Sequence, residues 1–121
     1  MNAKQRSLQV IKALVISEFR VEARRLMNRH EVGKVLAARW TLWSILHNQV
    51  GMSYSEIAYA WHWNTTAIQY GLSALEDWMA YPRKRDVEIM RAINRCLDQA
   101  RLILPAVETT PEFNPVMEGC A

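Results

Sequence analysis

The segment SYSEIAYAWHWNTTAIQYGL, residues 53–72, constrains the fold more than any other part of the sequence. Ser53 followed three residues later by Glu56 is typical of a capping box, which starts a helix by satisfying its first free amide groups. The box predicts a short helix from Tyr54 to about Trp61. The residues that follow, HWN, form a tight turn in this interpretation.

A second helix should begin directly after the turn. Asn64 is a favoured residue at the position before a helix, and Pro82 predicts that the helix ends near Met79. The apolar spacing fits a helix-turn-helix, in which two short helices pack across a turn of three or four residues. The side chains expected to form its small core are Ile57, Ala58, Trp61, Trp63 and Ile68.

Helical periodicity also dominates the segments before this unit. Apolar residues recur at helical spacing over residues 5–27, which predicts one bent helix or two helices with a break near residues 19–21. A helix over residues 36–49 follows a polar connector, and Gly51 is a plausible cap at its end. The five tryptophans are interpreted mainly as core residues of a small domain.

The last predicted helix runs from Val87 to Leu104, preceded by the capping residue Asp86 and ended by Pro105. No segment shows the alternation of a strand. The sequence therefore predicts an all-α, compact helical domain over residues 1–105 and a flexible C-terminal tail over residues 106–121. Half of the 121 residues are hydrophobic and 22% are charged, a composition that favours a folded domain.

The charges are distributed unevenly along the chain. Residues 1–39 carry a formal charge of +6 and residues 79–105 carry +3, whereas residues 40–78 and the tail each carry −3. Basic flanks around a neutral insertion element are typical of nucleic-acid binding. The alternative is that both basic segments are solvated helix faces without a ligand.

Base contacts are expected from the first turns of the second helix. Gln reads adenine through two hydrogen bonds, and the methyl group of Thr suits the methyl group of thymine. The helix contains no Lys or Arg, so contacts with phosphates should come from the flanks. The predicted base contacts are Asn64, Thr65, Thr66, Gln69 and Tyr70.

The order of these motifs resembles the C-terminal DNA-binding domain (domain IV) of the bacterial replication initiator DnaA. The resemblance covers roughly residues 8–104 and is carried by FRVEARRLMNRHEVGKVLAARW, SYSEIA and NTTAI. It implies that Thr65 and Thr66 contact DNA, that Arg39 contacts the minor groove, and that Arg29 and Lys34 belong to a phosphate-binding loop. The turn here is two residues shorter than in that family, and its Asp-His pair is replaced by Asn64.

A further basic cluster, Arg83, Lys84 and Arg85, is expected to grip phosphates or to stabilise the C-terminus of the preceding helix. The chain contains no GxxxxGK[ST] motif, so nucleotide-driven DNA melting is not expected. The predicted function is sequence-specific binding of double-stranded DNA by a small regulator of transcription or replication, bacterial or phage-encoded. Its expected location is the cytoplasm, in association with the nucleoid.

Two other functions remain open at this point. The aromatic central segment could dock a protein partner, and the same fold could serve in a phage assembly subunit. Catalysis is not expected, because Ser44 and His47 have no third partner in a recognisable motif. No metal or cofactor is expected, since His30 and His62 also lack ligand spacing. Cys96 and Cys120 show no paired pattern, and no segment predicts a membrane span.

Overall fold

The computed structural model describes residues 2–28, 30–83 and 86–109, and within these ranges the chain is all-α, as predicted. A π-helical turn, Leu46–Val50, directly extends the third helix. No strand occurs in the described ranges. The helices are α1 (Ala3–Phe19), α2 (Ala23–Leu26), α3 (Lys34–Ile45), α4 (Tyr54–Trp61), α5 (Thr65–Ala80) and α6 (Val87–Thr109).

The first predicted helical segment is divided into α1 and α2. Asn2 and Gln5 form a capping box at the start of α1, with the Gln5 amide donating to Asn2 Oδ1 at 2.8 Å. The helix ends at Arg20, whose backbone adopts the left-handed conformation at φ 55°. The sequence left open one bent helix or two helices, and the structure has two helices with a break near residues 19–21.

Helix α3 is the central element of the fold and contacts α1, α2, α5 and α6. It is buried on several sides, because small residues such as Ala37, Ala38 and Thr41 allow neighbouring helices to approach. At one crossing, Gly71 of α5 lies so close to α3 that an added Cβ would be 2.6 Å from Trp40 Cδ1. Gly51 ends the π-helical turn at φ 86°, as the sequence predicted.

Helix α6 extends further than the sequence predicts. It was expected to end at Leu104, but it continues through Pro105 to Thr109. A proline this close to the end of a helix removes only a late backbone hydrogen bond, and the buried side chain of Leu104 holds the adjoining turn on the core. Residues 106–109 are thus helical, while the rest of the predicted tail, residues 110–121, lies outside the described residues.

Large rings fill the centre of the core. Trp43 is fully buried, and its ring centroid lies 6.3 Å from that of Trp61 and 5.3 Å from that of Trp63, in edge-to-face arrangements. Trp40 and Trp78 are only partly buried. Core packing therefore accounts for the tryptophans around the corner of α4 and α5, whereas Trp40 is partly exposed at the edge of the core.

None of the described helices is long and apolar enough to cross a lipid bilayer.

Candidate nucleic-acid interface

Helices α4 and α5 are joined by a turn of three residues, 62–64. The capping box predicted at the start of α4 is present: Ser53 Oγ accepts from the Glu56 amide at 3.1 Å, and Glu56 Oε1 accepts from the Ser53 amide at 3.0 Å. His62 ends α4 in the left-handed conformation at φ 56°, at a place where such turns often use glycine. These local features fix where α4 begins and ends.

The turn directs the chain straight into α5. The Trp63 amide donates to the Ala58 carbonyl oxygen at 2.9 Å, which closes the turn. Asn64 Oδ1 then accepts from the Ala67 amide at 2.8 Å, so Asn64 is the N-cap predicted for this helix. The side chains expected to hold the unit together are indeed internal. Ile57, Ala58, Trp61 and Ile68 are buried, and Trp63 is half-buried.

The opposite face of α5 is polar and accessible. Of the five predicted base contacts, Thr65 is half-buried, whereas the other four are exposed: Asn64, Thr66, Gln69 and Tyr70. Thr66, Gln69 and Tyr70 are three and four residues apart, and therefore lie on one face of the helix. Tyr70 is 69% exposed, and its ring meets the edge of Trp40 at a centroid distance of 6.3 Å.

Arg39 is not available as a phosphate or minor-groove contact, which corrects the sequence prediction. The residue is only 1% exposed. Its Nε donates to the Leu26 carbonyl at 2.6 Å, and its Nη2 donates to the carbonyls of Arg25 and Asn28. The guanidinium carbon also lies 4.7 Å from the centroid of the Trp63 ring. Arg39 therefore connects the end of α2 to the turn between α4 and α5.

The environment of Arg39 explains why a charge can be buried there. Carbonyl oxygens at the end of a short helix have no partners within the helix, and a guanidinium supplies several donors in one plane. Burial lowers the pKa of the Arg39 guanidinium, while the charge of Glu31 opposes that change. The sequence contained no signal for this role, because the carbonyl groups involved belong to the backbone.

The remaining predicted phosphate contacts differ in their surroundings. Lys34 is exposed at the first position of α3 and has no ion pair with any described residue. Arg83 is also exposed, and its Nε lies 3.0 Å from Asp86 Oδ2. The other three predicted contacts, Arg29, Lys84 and Arg85, lie outside the described residues.

Most described basic residues at the surface are paired with a carboxylate. The ion pairs are Lys4–Glu56, Arg24–Glu22, Arg25–Glu31, Arg83–Asp86, Arg91–Glu88, Arg95–Glu18 and Arg101–Asp98. Glu76 and Asp77, in contrast, are exposed on the C-terminal half of α5 and have no ion pair in the described part of the chain. The exposed face of α5 is therefore neutral in its first half and acidic in its second half.

An aromatic groove borders the same helix and was missed by the sequence interpretation. It lies between the start of α3 and the second half of α5, and its walls include Trp40, Trp78 and Tyr81. The Trp40 and Trp78 ring centroids are 6.2 Å apart. Trp78 Nε1 donates to Asp86 Oδ2 at 3.0 Å, which connects α5 to the residue directly before α6. The sequence signal for this groove was the four-residue spacing of Tyr70, Ala74 and Trp78. Such spacing places the three side chains in one continuous stripe along the helix.

The side chains weighed for catalysis have structural partners. Ser44 Oγ accepts from Asn48 Nδ2 at 3.2 Å. His47 Nδ1 lies 2.9 Å from the Met52 carbonyl oxygen, and the imidazole stacks on the Tyr54 ring at a centroid distance of 4.4 Å. Within the described ranges, no three His, Cys, Asp or Glu side chains are grouped closely enough to hold a metal ion.

Comparisons of the chain with protein-family models, with curated proteins and with solved structures give no match.

Proposed function

We propose that this chain binds double-stranded DNA through the helix-turn-helix formed by α4 and α5, with the N-terminal half of α5 in the major groove. The observation that carries the proposal is the division of α5 into two faces. Ile68, Leu72 and Leu75 are buried against the core, whereas Thr66, Gln69 and Tyr70 are exposed. A rigid helix with hydrogen-bonding side chains on its outer face has the shape and chemistry that base readout requires.

The electrostatics of α5 favour entry by its N-terminal half. The amide groups of the first turn give that end a partial positive charge, which suits a polyanion. Glu76 and Asp77 lie at the other end, where their carboxylates would be repelled by phosphates. In this orientation Gln69 and Tyr70 face the bases, and the acidic half of the helix stays outside the groove.

Phosphate contacts would come from cations on α1 and α3 and from Arg83 after α5. Lys34 has no ion pair with a described residue, and neither has Lys12 or Arg20, so all three can bind phosphate without losing an existing partner. Arg83 is 60% exposed at its side chain, whereas the carboxylate of its partner Asp86 is only 9% exposed. The Asp86 carboxylate also accepts from Trp78 Nε1, so it keeps a hydrogen-bond donor when Arg83 turns to a phosphate.

The biological role proposed is that of a small regulator of transcription or replication, bacterial or phage-encoded, acting on DNA in the cytoplasm. The resemblance of its motifs to DnaA domain IV supports this role. The motifs shared with that domain, SYSEIA and NTTAI, form α4 and the start of α5.

The test is fluorescence anisotropy with a labelled mixed-sequence duplex, titrated with protein at several salt concentrations. Binding should weaken steeply as salt rises, because each phosphate contact releases a counterion. Lys34→Ala should reduce the salt dependence by about one contact. Lys12→Ala, on α1, tests in the same way whether the DNA-binding surface extends to that helix. An absence of binding at low salt would contradict the proposal.

A second candidate function is supported by the aromatic groove between α3 and α5. Tyr81 is 80% exposed, and Asp77 adds a carboxylate that has no ion pair with a described residue. Large exposed rings next to a charge are typical of surfaces that bind proteins. If the anisotropy experiment shows no DNA binding, this groove becomes the first surface to test, with Tyr81→Ala and Asp77→Asn as the variants.

A further inference from the structure

The exposed face of α5 lacks the side chains that normally read guanine. Guanine offers two acceptors in the major groove, O6 and N7, and these are most often bound by Arg or Lys. Residues 40–82 contain neither amino acid, so α5 carries no cation along its whole length. The groups it does present in its first three turns are amides, hydroxyls and a phenol, at Asn64, Thr66, Gln69, Tyr70 and Ser73.

Of the two exposed amides, only Gln69 is free to make a bidentate contact. Asn64 Oδ1 already accepts from the Ala67 amide at 2.8 Å, which fixes the orientation of its amide at the cap of α5. Gln69 makes no side-chain hydrogen bond with any described residue, and the residue is exposed. Adenine presents an N6 donor beside an N7 acceptor, which matches the acceptor and donor of a glutamine amide.

The side chains next to Gln69 have apolar groups that can contact the methyl group of thymine. Thr66, one turn earlier on the same face, offers a methyl group for contact with the C5 methyl group of thymine. Tyr70 offers an apolar ring surface beside it. Its edge-on contact with Trp40, at a centroid distance of 6.3 Å, restricts where that ring can lie. An adenine-reading amide and two groups that suit thymine therefore lie within about two turns of one helix.

We infer that α5 selects A·T base pairs, with Gln69 reading adenine and with Thr66 and Tyr70 contacting the methyl groups of thymines. This inference rests on the proposed DNA binding and specifies its target. The closest competing chemistry is the recognition of cytosine N4 by Glu76 or Asp77. Both carboxylates lie seven or eight residues beyond Gln69, in the half of α5 that is repelled by phosphates.

The first experiment is selection of bound duplexes from a library with a randomised central region, using three proteins. The wild type should enrich A·T pairs at the contacted positions. Gln69→Arg should shift one position from adenine to guanine, because the new side chain can bind O6 and N7. Gln99→Arg adds the same charge at an exposed site on α6 and should select the same bases as the wild type.

The second experiment probes the acceptor atom directly. In the selected duplex, 7-deazaadenine replaces each adenine in turn, which keeps base pairing but removes N7. One replacement should weaken wild-type binding about tenfold, and the same replacement should have little effect on Gln69→Ala.

The outcomes separate this inference from the function on which it rests. Duplexes retained without base preference, or enriched in G·C pairs, would overturn A·T selection while leaving DNA binding intact. Binding that is insensitive to every 7-deazaadenine would overturn the role of Gln69. If no duplex is retained even at low salt, the proposed DNA binding fails and the inference fails with it.

Discussion

The guanidinium of Arg39 donates to carbonyl oxygens at the end of α2 and in the loop that follows, and it also lies against Trp63. One side chain thus holds together two segments that are far apart in sequence. The resemblance to DnaA domain IV implied a DNA contact at this position. Its burial assigns it instead to the support of the turn between α4 and α5, because a guanidinium that is 1% exposed and engaged with backbone carbonyls cannot reach a phosphate.

Replacing Arg39 should therefore affect stability directly. Arg39→Ala is expected to lower the free energy of unfolding by roughly 3 kcal/mol, because it removes the donor of the buried Leu26 carbonyl and of the Asn28 carbonyl and removes packing from Trp63. The measurement is urea denaturation followed by tryptophan fluorescence. Arg101→Ala, which removes an exposed arginine paired with Asp98, should change the same free energy by less than about 0.5 kcal/mol. An unchanged midpoint for Arg39→Ala would mean that the guanidinium is at the surface in solution.

At the scale of single elements, local signals predicted the boundaries well. The capping residues Asn64 and Ser53, the cap at Gly51 and the break at Arg20 all lie where the sequence placed them. Each depends on hydrogen bonds or backbone angles within a few residues, which is why sequence alone was sufficient. Pro105 was the exception: its preference for ending a helix was overridden by the buried side chain of Leu104 beside it.

The cap of α4 also leads to a prediction about pH. Hydrogen bonds to Glu56 from the Ser53 amide and from Lys4 Nζ hold the pKa of this carboxyl below its usual range. Its contribution to stability is present above the unfolded pKa of about 4.3 and is lost as the pH falls through the lower folded value. Urea denaturation between pH 7 and pH 3 should show this loss of unfolding free energy.

The variant Glu56→Gln isolates the contribution of this carboxyl. Its amide oxygen can still accept from the Ser53 amide, but the group no longer titrates. The pH dependence should become shallower without disappearing, because Arg25 also lowers the pKa of Glu31, which acts in the same direction. Identical pH curves for the two proteins would contradict the role assigned to Glu56.

At the scale of the whole molecule, Cys96 reports on whether α6 stays on the core. The thiol is fully buried, and burial raises its pKa to about 12. Because reagents attack the thiolate, labelling should require opening of the fold. In a Cys120→Ser variant, Cys96 is the only cysteine. Its labelling in buffer should be slower than in concentrated urea by on the order of a thousandfold. Similar rates in the two solutions would mean that α6 is not stably docked.

The sequence by itself determined the all-α class, helices α4 and α5, the buried side chains that join them and the polar residues at the start of α5. These features follow from periodicity and capping, which operate over one or two helical turns. Only the tertiary structure decided that Arg39 is buried, that most of the described surface cations are paired, and that Trp40, Trp78 and Tyr81 line one groove. These facts depend on contacts between residues distant in the chain, and no local pattern encodes which side chain meets which backbone group.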